Sequence, residues 1–448
     1  MRRCAGRYGR RVALQDEAVY LLRRLLRLDT SNPPGNETPA AELLRSYLEA
    51  AGVPCELVAL DPARANLIAR LPGTGDGPSL MLLGHTDVVP AVAADWTRPP
   101  FGGELDAEGY VWGRGAVDMK NEVATRAVAL AHLARSGWRG TGDLLFVAVA
   151  DEEDGTEGAG MRWLAETRPD LATDYVINEG GAERLALADG RVVSTVTVGE
   201  KGATQARITA LGQEGPSTLP GTGANAVPRL ANLLSRLDAY APERRLSPAT
   251  RALLEALAGP VADGPELDVA IARAVALHPA LAEIVAPLFA TTIAPTRLRA
   301  SDALNVMPAR ASVDCDCRLV PGATLDDLRA ELEAALGDDV PYALEFPDPL
   351  SGGTASPVDT PLMAACRTAL AVVDPEAELL PTILNGFTDS HYLREAFGAV
   401  AYGIWPVRTT PYAVAAEGVH GVDERIHEDD VGLATRFHVE LCRALLGS

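Results

Sequence analysis

The fold is constrained most by a set of short, continuous apolar segments that alternate with helical segments in the first part of the chain. The clearest apolar segments are PSLMLLGHTD (78–87), DLLFVAVA (143–150) and DYVIN (174–178), and 119–137 has the pattern of a helix. Uninterrupted apolar runs predict strands buried on both faces, and alternation with helices predicts parallel pairing. We therefore expect an α/β domain whose mostly parallel sheet is covered by helices on both faces.

The pattern changes near Val193, where polar and apolar residues begin to alternate with period two. Two segments show this alternation, ATQARITAL (203–211) and RASVDCDCRL (310–319), and helical patterns occur at 224–240, 247–289 and 324–336. Period-two alternation is typical of half-exposed antiparallel strands. The order strand, helix, two strands, helix and strand predicts an inserted α+β domain of ferredoxin-like type.

The α/β pattern resumes near residue 350, with a strand in AVAYGIWP (399–406) and a closing helix over 429–446. We therefore expect a catalytic domain in two parts, 1–194 and 349–448. The inserted lid or dimerisation domain is predicted to span 195–348.

Charge and cysteine content exclude several classes of function. A net charge of −21 disfavours nucleic acid and anionic membranes as partners, because both require Lys and Arg to neutralise phosphates. No apolar run approaches the ~20 residues of a membrane span, and no apolar stretch typical of a secretory signal follows the basic start. The 6 cysteines form no CxxC pair, which favours a reduced, cytoplasmic protein over a cysteine–zinc site. Cys315 and Cys317 are expected to be core residues on one strand face.

Chemically active residues follow the predicted strands. In open parallel sheets, ligands bind beyond the carboxyl ends of the strands. Those ends, together with one helix start and one late loop, carry two imidazoles and several carboxylates: His85, Asp87, Asp118, Glu152, Glu153, Glu179 and His420. Taken singly, each has a structural alternative, such as a helix cap or a solvated turn. Together they form a nitrogen and oxygen ligand set suited to zinc, or to manganese or cobalt.

Five motifs in this order resemble a known family. They are His85-Thr86-Asp87, GRGAVDMK (113–120), ADEEDGTEGAG (150–160), NEGG (178–181) and VHGVDERI (419–426). They resemble the co-catalytic zinc amidohydrolases and exopeptidases, a family that includes aminoacylase, succinyl-diaminopimelate desuccinylase, acetylornithine deacetylase and glutamate carboxypeptidase. The carboxypeptidase S-like branch is the part of the family that the chain resembles most.

The resemblance implies two zinc ions per chain. One would be held by His85, Asp118 and Glu179, and the other by Asp118, Glu153 and His420. Asp118 would then bridge the two ions, with a water shared between them.

The same pattern implies roles for the remaining residues. Asp87 is expected to accept a ring N–H of His85 and fix its tautomer, and Glu152 is expected to be the general base. In the inserted domain, Asn305 matches a donor to the developing oxyanion. Arg318 matches a clamp for a substrate carboxylate, although a salt-bridged surface strand is the alternative for that segment.

One position departs from the family pattern. The family carries a histidine in a G-x-x-G-H-x-S-x-P motif, whereas GQEGPSTLP (212–220) has Pro216 at that place. Proline has no side-chain donor, and loss of one oxyanion donor typically costs about 2.7–4 kcal/mol of transition-state stabilisation. Either another group substitutes, with His278 as one candidate, or turnover is slow.

These observations favour a hydrolase of an amide or peptide bond next to a free carboxylate, such as that of an N-acyl amino acid or a dipeptide. The expected partner is therefore a small molecule, with no nucleic acid or membrane partner. A homodimer through the lid domain is consistent with the resemblance. The alternative hypothesis, based on Pro216, is a metal-binding or peptide-binding homologue with little turnover.

Overall fold

The computed structural model describes residues 2–155, 158–181, 183–262 and 264–447. These residues form two compact units. The first unit contains the described chain as far as Val198, Ser356–Thr382 and the chain from Thr388 onward. The second unit contains Gly199–Ala355 and Ile383–Phe387.

Helices form over the predicted segments and also over segments for which the sequence predicts none. They are α1 (Arg2–Leu26), α2 (Thr38–Glu49), α3 (Lys120–Arg135), α4 (Met161–Thr167), α5 (Ala226–Ala239), α6 (Pro248–Ala258), α7 (Pro265–Val275), α8 (Pro279–Val285), α9 (Leu325–Leu336), α10 (Pro361–Val373), α11 (Ser390–Phe397), α12 (Tyr412–Gly418) and α13 (Glu428–Leu446). None of the helices in the described ranges combines the length and apolar character needed to cross a lipid bilayer.

The strands divide between the two units, and two of them, β9 and β17, extend across the boundary. They are β1 (Cys55–Val58), β2 (Asn66–Leu71), β3 (Leu80–His85), β4 (Glu104–Leu105), β5 (Tyr110–Trp112), β6 (Leu144–Val149), β7 (Tyr175–Asn178), β8 (Arg184–Ala186), β9 (Val192–Glu200), β10 (Gly202–Leu211), β11 (Gly215–Pro216), β12 (Thr292–Arg299), β13 (Val306–Met307), β14 (Arg310–Leu319), β15 (Tyr342–Glu345), β16 (Ser351–Gly352), β17 (Ala377–Leu384), β18 (Val400–Gly403) and β19 (Arg425–His427).

The central sheet of the first unit has the order β1-β2-β6-β3-β7-β18-β9-β17, with β8 paired to β9. Its centre, from β6 through β3 and β7 to β18, is parallel, and the flanking pairs β1–β2, β2–β6 and β18–β9 are antiparallel. On one face Met81 and Leu83 pack with residues of α4 and α11. On the other face a Cβ at Gly84 would meet Val123 of α3 at 2.9 Å, so glycine permits the close approach of that helix. The α/β prediction with helices on both faces is confirmed.

The second unit is an antiparallel sheet covered by helices on one face. Its sheet has the order β12-β14-β10-β15, with β16 also paired to β10. Together with α5 and α9, this places the first and third strands of a β-α-β-β-α-β unit in the middle, which is the ferredoxin-like arrangement. Cys315 and Cys317 are buried in the core between the sheet and these helices, as the two-residue spacing predicts. Helices α6, α7 and α8 form the predicted helical insertion.

A small sheet in the first unit joins distant parts of the sequence. Strand β19 pairs with β5, so that Arg425 lies opposite Trp112 and His427 opposite Tyr110. This pairing brings the segment that carries His420 next to the loop that carries Asp118. The pairing therefore has a direct effect on the site described below.

Candidate metal centre

The seven residues singled out at the strand ends all belong to the first unit. His85 is the last residue of β3, Glu152 and Glu153 follow β6, and Glu179 follows β7. Because these strands are adjacent and parallel, their carboxyl ends meet at one edge of the sheet. The other members come from loops: Asp118 precedes α3, and His420 lies between α12 and β19.

The carboxylate of Asp118 lies between the two imidazoles. Its Oδ1 is 3.1 Å from Nε2 of His85, and its Oδ2 is 3.3 Å from Nε2 of His420. The same Nε2 of His420 is 3.0 Å from Oε2 of Glu153. Asp118 thus presents one oxygen to each half of the cluster, which is the arrangement that a bridging ligand requires.

The second half of the cluster surrounds His85, which is buried. Its Nε2 lies 3.7 Å from Oε2 of Glu179 and 4.0 Å from Oε2 of Glu152. Donor atoms of His85, Glu152 and Glu179 lie within 4.8 Å of one another, and so do those of His85, Asp118 and Glu153. Glu152, for which we predict a base role, is therefore within reach of the same position as the predicted ligands.

The donor set fits a divalent cation on the criterion of unsatisfied buried atoms. Oε1 of Glu153 and Oε1 of Glu179 are buried and have no hydrogen-bond partner among the described residues. Buried polar atoms are nearly always paired, and a buried carboxylate oxygen without a donor is costly. Carboxylate oxygens and imidazole nitrogens are ligands that zinc, manganese and cobalt accept. The residues present therefore fit a metal centre.

The pKa values in the cluster reflect the same density of negative charge. Burial, followed by the charge of Glu179, raises the pKa of Glu152 well above its usual range, and burial also raises the pKa of Glu153. Hydrogen bonds to Asp118 and Glu153 raise the pKa of His420 to about 10. These shifts indicate a strongly anionic site in which positive charge is stabilised.

Asp87 contacts the backbone as well as the imidazole. Nδ1 of His85 lies 3.1 Å from the backbone carbonyl oxygen of Asp87 and 3.5 Å from its Oδ1, so the nearer acceptor is the carbonyl oxygen. The Asp87 carboxylate accepts the backbone N–H groups of Glu152 and Glu153, at 3.3 and 3.0 Å. It also accepts the side-chain amide of Asn32 at 2.9 Å. Asp87 thus positions both the imidazole and the backbone of the two glutamates.

Asp151, the first of the four consecutive acids, is neutralised by an arginine. Its Oδ1 lies 3.0 Å from Nη1 of Arg64, and Nη2 of Arg64 lies 2.7 Å from Oε1 of Glu37. All three side chains are buried. Asp151 has a φ of +62°, a conformation that is uncommon outside glycine. The ion pair between Arg64 and Asp151 therefore stabilises an unusual backbone conformation immediately before Glu152.

A second buried arginine lies beneath the strand ends. Arg126 of α3 donates to the carbonyl oxygen of Leu83, to that of Asn178 at 2.9 Å, and to the carboxylate of Glu122. Leu83 and Asn178 precede His85 and Glu179 by two residues and one residue, respectively. Arg126 thus joins the ends of β3 and β7 just where each strand presents a candidate ligand.

Asp389 is a further carboxylate in the first unit; it is buried and follows Thr388 at the start of α11. Burial raises its pKa well above the usual range, and the charge of Glu179 adds to the effect. Next to it, the hydroxyl of Ser390 accepts a hydrogen bond from the side-chain amide of Asn178 at 3.1 Å. The Thr-Asp pair in NGFTDSHYL (385–393), at the start of a helix, is the sequence signal for this carboxylate.

The remaining predicted residues belong to the second unit. Nε of Arg318 lies 3.1 Å from Oδ1 of Asp316, an ion pair of the kind that the surface-strand alternative describes. The backbone carbonyl oxygen of the exposed Asn305 accepts the backbone N–H of Ser217 at 3.1 Å. Pro216 directly precedes Ser217 and lies opposite Val306 in the β11–β13 pair.

His278, the candidate for the missing lid donor, has a local role in the structure. It is the N-cap of α8, and its Nδ1 accepts the backbone N–H of Ala280 at 3.1 Å. One ring nitrogen is thus used by the helix, which leaves the other available to donate.

The fold and this cluster define a class of protein: an α/β enzyme scaffold with a carboxylate and imidazole centre suited to divalent cations. The sequence profile of peptidase family M20/M25/M40 matches residues 81–444, and the chain belongs to that family. It is a metal-dependent amide hydrolase of the metallopeptidase type, as the motifs predict.

Individual relatives agree with this assignment. Aminoacylase-1 of Mus musculus is 27% identical over 425 residues, which cover 92% of this chain and 91% of the relative. A succinyl-diaminopimelate desuccinylase of Cereibacter sphaeroides is 34% identical over 227 residues, which cover 50% of this chain and 57% of the relative. An M20 family metallo-carboxypeptidase of Sulfolobus solfataricus has a similar fold, with a TM-score of 0.67, 20% identity and coverage of 96% of this chain and 99% of that one.

Proposed function

We propose that this protein hydrolyses the amide bond of an N-acyl amino acid or the peptide bond of a dipeptide, next to a free carboxylate, with two zinc ions per chain. Manganese and cobalt are the alternative metals. The observation that carries the proposal is the pair of imidazoles and carboxylates around Asp118, in which Glu153 and Glu179 each retain a buried oxygen without a hydrogen-bond donor.

The proposed metal ligands are divided between two positions that share Asp118. His85 and Glu179 complete one position, and Glu153 and His420 complete the other. Divalent cations supply Lewis acidity, since they polarise an amide carbonyl and lower the pKa of water.

Glu152 is the proposed general base. It accepts a proton from the attacking water and returns that proton to the nitrogen of the scissile bond, so that the carbon–nitrogen bond breaks with a neutral amine as leaving group. Its position supports this role, because Oε2 of Glu152 lies 4.0 Å from Nε2 of His85, a proposed metal ligand. Asp87 keeps the adjacent imidazole and the Glu152 backbone in place.

The proposed substrate contacts come from the second unit. Asn305 donates to the oxygen that gains negative charge, and Arg318 binds the free carboxylate with two parallel N–H groups. This assignment rests on the match to the family segment SDALNVMPARASVDCDCRL (301–319). It is the basis for proposing a carboxylate next to the scissile bond, because a planar guanidinium selects planar anions.

The names of the relatives support this substrate class. Aminoacylase and desuccinylase names refer to enzymes that remove acyl groups from amino nitrogens. The free cysteines support a reducing, cytoplasmic location, which is part of the proposal.

The proposal is tested by metal analysis and a substrate panel with the purified full-length chain. We expect about two metal equivalents per chain after dialysis against zinc. N-acyl amino acids and dipeptides should release free amine, and the same compounds with an amidated carboxylate should be poor substrates. A chain that retains no metal after zinc reconstitution contradicts the proposal.

The competing hypothesis is a binding protein with little turnover, because Pro216 replaces the lid histidine. Thermal stabilisation by panel compounds without release of any amine would favour that hypothesis. Membership of a hydrolase family and the presence of both Asp87 and Glu152 favour the enzyme.

A further inference from the structure

Glu424 is a fully buried carboxylate that has no metal-ligand role in the proposed function. Its Oε1 accepts the backbone N–H groups of Val117 and Asp118, at 2.6 and 2.9 Å. Its Oε2 accepts Nη1 of Arg114 at 2.8 Å and the backbone N–H of Gly115 at 2.9 Å. One side chain therefore determines the conformation of the whole loop that ends at Asp118.

The same residue is connected to the His420 segment by a second path. Nη2 of Arg114 donates to the carbonyl oxygen of Gly421 at 2.7 Å, and the backbone N–H of Gly113 donates to the carbonyl oxygen of Glu424 at 3.0 Å. His420 itself has a φ of +57°, and its side chain is 57% exposed. Its position thus depends on the turn that Arg114 and Glu424 hold.

Both oxygens of Glu424 are occupied by donors, two on each. A cation would have to displace buried N–H groups to reach them, which leaves those groups unsatisfied at a cost of about 1–3 kcal/mol each. Glu424 therefore acts on a metal only through the residues that it positions.

We infer that Glu424 is a positioning residue that fixes the distance between Asp118 and His420, and so sets the affinity of the metal position that includes His420. This inference rests on the proposed function, because it uses the proposed ligand assignment. The other position shares Asp118, but its remaining ligands, His85 and Glu179, lie at the ends of β3 and β7 and do not depend on the late segment. The larger effect of changing Glu424 is thus expected at the position that includes His420, where both Asp118 and His420 depend on it.

The test is a metal titration of the full-length Glu424→Gln variant. Glutamine has nearly the same shape as glutamate. Its amide NH2 group, however, would face N–H donors that a carboxylate oxygen of Glu424 accepts. We expect the metal equivalent at the position that includes His420 to bind 10- to 100-fold more weakly, a typical loss for a residue that orients a metal ligand, and the other equivalent to weaken less. Cobalt titration in competition with a chelator measures each equivalent, and the melting temperature in excess chelator measures folding separately.

Asp430 provides the matched control. It is also fully buried, and its carboxylate accepts the backbone N–H groups of Arg408, Thr409 and Thr410 at 2.6–2.8 Å, but none of these residues is a proposed ligand. Asp430→Asn should lower the melting temperature and leave both metal equivalents unchanged. A purely structural role for Glu424 predicts the same behaviour for Glu424→Gln, and that result would overturn the inference.

A second variant covers the case in which Glu424→Gln does not fold. Arg114→Lys keeps the positive charge and loses the fork that reaches Glu424 and Gly421 together. It should weaken the same metal equivalent more than the other, and unchanged binding of both equivalents would contradict the inference. If the wild-type chain binds no metal, the proposed function fails before the inference is tested, so the two failures are distinguishable.

Discussion

The backbone N–H of Glu153 donates to Oδ2 of Asp87 across 3.0 Å, and the carboxylate of Glu153 then reaches His420 on the far side of Asp118. Asp87 accepts the N–H of Glu152 as well, yet the Glu152 carboxylate lies on the side of His85, 4.0 Å from its Nε2. One buried carboxylate thus holds two consecutive glutamates whose side chains serve different halves of the centre.

This divergence predicts different effects for the same chemical change at the two positions. Glu152→Gln should keep both metals and reduce kcat by roughly 10²-fold or more, because a general base is lost. Glu153→Gln should lose metal, because an uncharged amide replaces the carboxylate that lies 3.0 Å from His420 and is a proposed ligand. Metal content by mass spectrometry and steady-state kinetics distinguish the two variants, and the reverse pattern would exchange the proposed roles.

Removal of divalent cations should destabilise the protein. The carboxylates of the centre repel one another without a cation, and ligand binding stabilises the folded state by about 4 kcal/mol when the free ligand is a thousandfold above its Kd. We expect a lower melting temperature in excess chelator and full recovery when zinc is restored. Superimposable melting curves with and without chelator would argue against a metal centre.

Replacement of Arg64 by methionine should cost far more stability than loss of a surface arginine. The change leaves the Glu37 and Asp151 carboxylates buried without their cation, which typically costs about 3–5 kcal/mol. Arg168, which pairs with the exposed Glu56, provides the control. Arg168→Gln should cost at most about 1 kcal/mol, and urea unfolding of the two variants measures the difference.

The buried imidazole of His438 should make the free energy of unfolding depend on pH. Burial, followed by the charge of Arg126, holds the pKa of His438 well below its usual value of 6.5. Nε of Arg126 donates to Nε2 of His438 at 3.5 Å. Arg126 also contacts the carboxylate of Glu122. The unfolded chain therefore binds one more proton below pH 6.5, so stability is present above that pH and is lost as the pH falls.

His438→Gln should remove this contribution, which amounts to at most about 1.4 kcal/mol per pH unit. Melting curves between pH 5 and pH 7.5, with chelator in both samples, measure the difference between wild type and variant. Parallel pH profiles would show that His438 does not contribute.

Arg318 allows a test of substrate binding against a purely structural salt bridge. Arg318→Gln should raise KM for substrates with a free carboxylate and have little effect on their amidated counterparts. The control is Arg207→Gln. Arg207 lies on β10, and its Nε pairs at 2.6 Å with Oδ1 of Asp314 on β14, the strand that also carries Arg318. Equal effects of the two substitutions would favour the structural alternative.

Much of the fold could be predicted because its signals are local. The period-two pattern of RASVDCDCRL predicts a strand that the structure places at Arg310–Leu319. A Thr three residues before an Asp at a helix start predicts a capping box, and Thr324 and Asp327 form one. The pairing of β19 with β5 had no such signal. It joins segments more than 300 residues apart, and no periodicity within either one specifies the partner.

The candidate site divides in the same way. Parallel strands end at one sheet edge, so the sequence places His85, Glu152 and Glu179 near one another. Arg64 and Arg126 were not singled out, because an arginine in a polar or amphipathic stretch resembles a surface residue. Only tertiary structure shows that both are buried next to the strand ends. The roles of the individual ligands stay predictions until the variants are measured.

The position of β18 in the central sheet has a consequence for synthesis of the chain. Val400–Gly403 pairs with β7 on one side and β9 on the other, although both neighbours are translated some 200 residues earlier. A nascent or truncated chain that lacks β18 leaves strand edges of β7 and β9 unpaired, and unpaired edges are templates for aggregation. Chaperone binding during translation is therefore expected to matter most between the emergence of β9 and that of β18, and premature termination in this interval should give insoluble fragments.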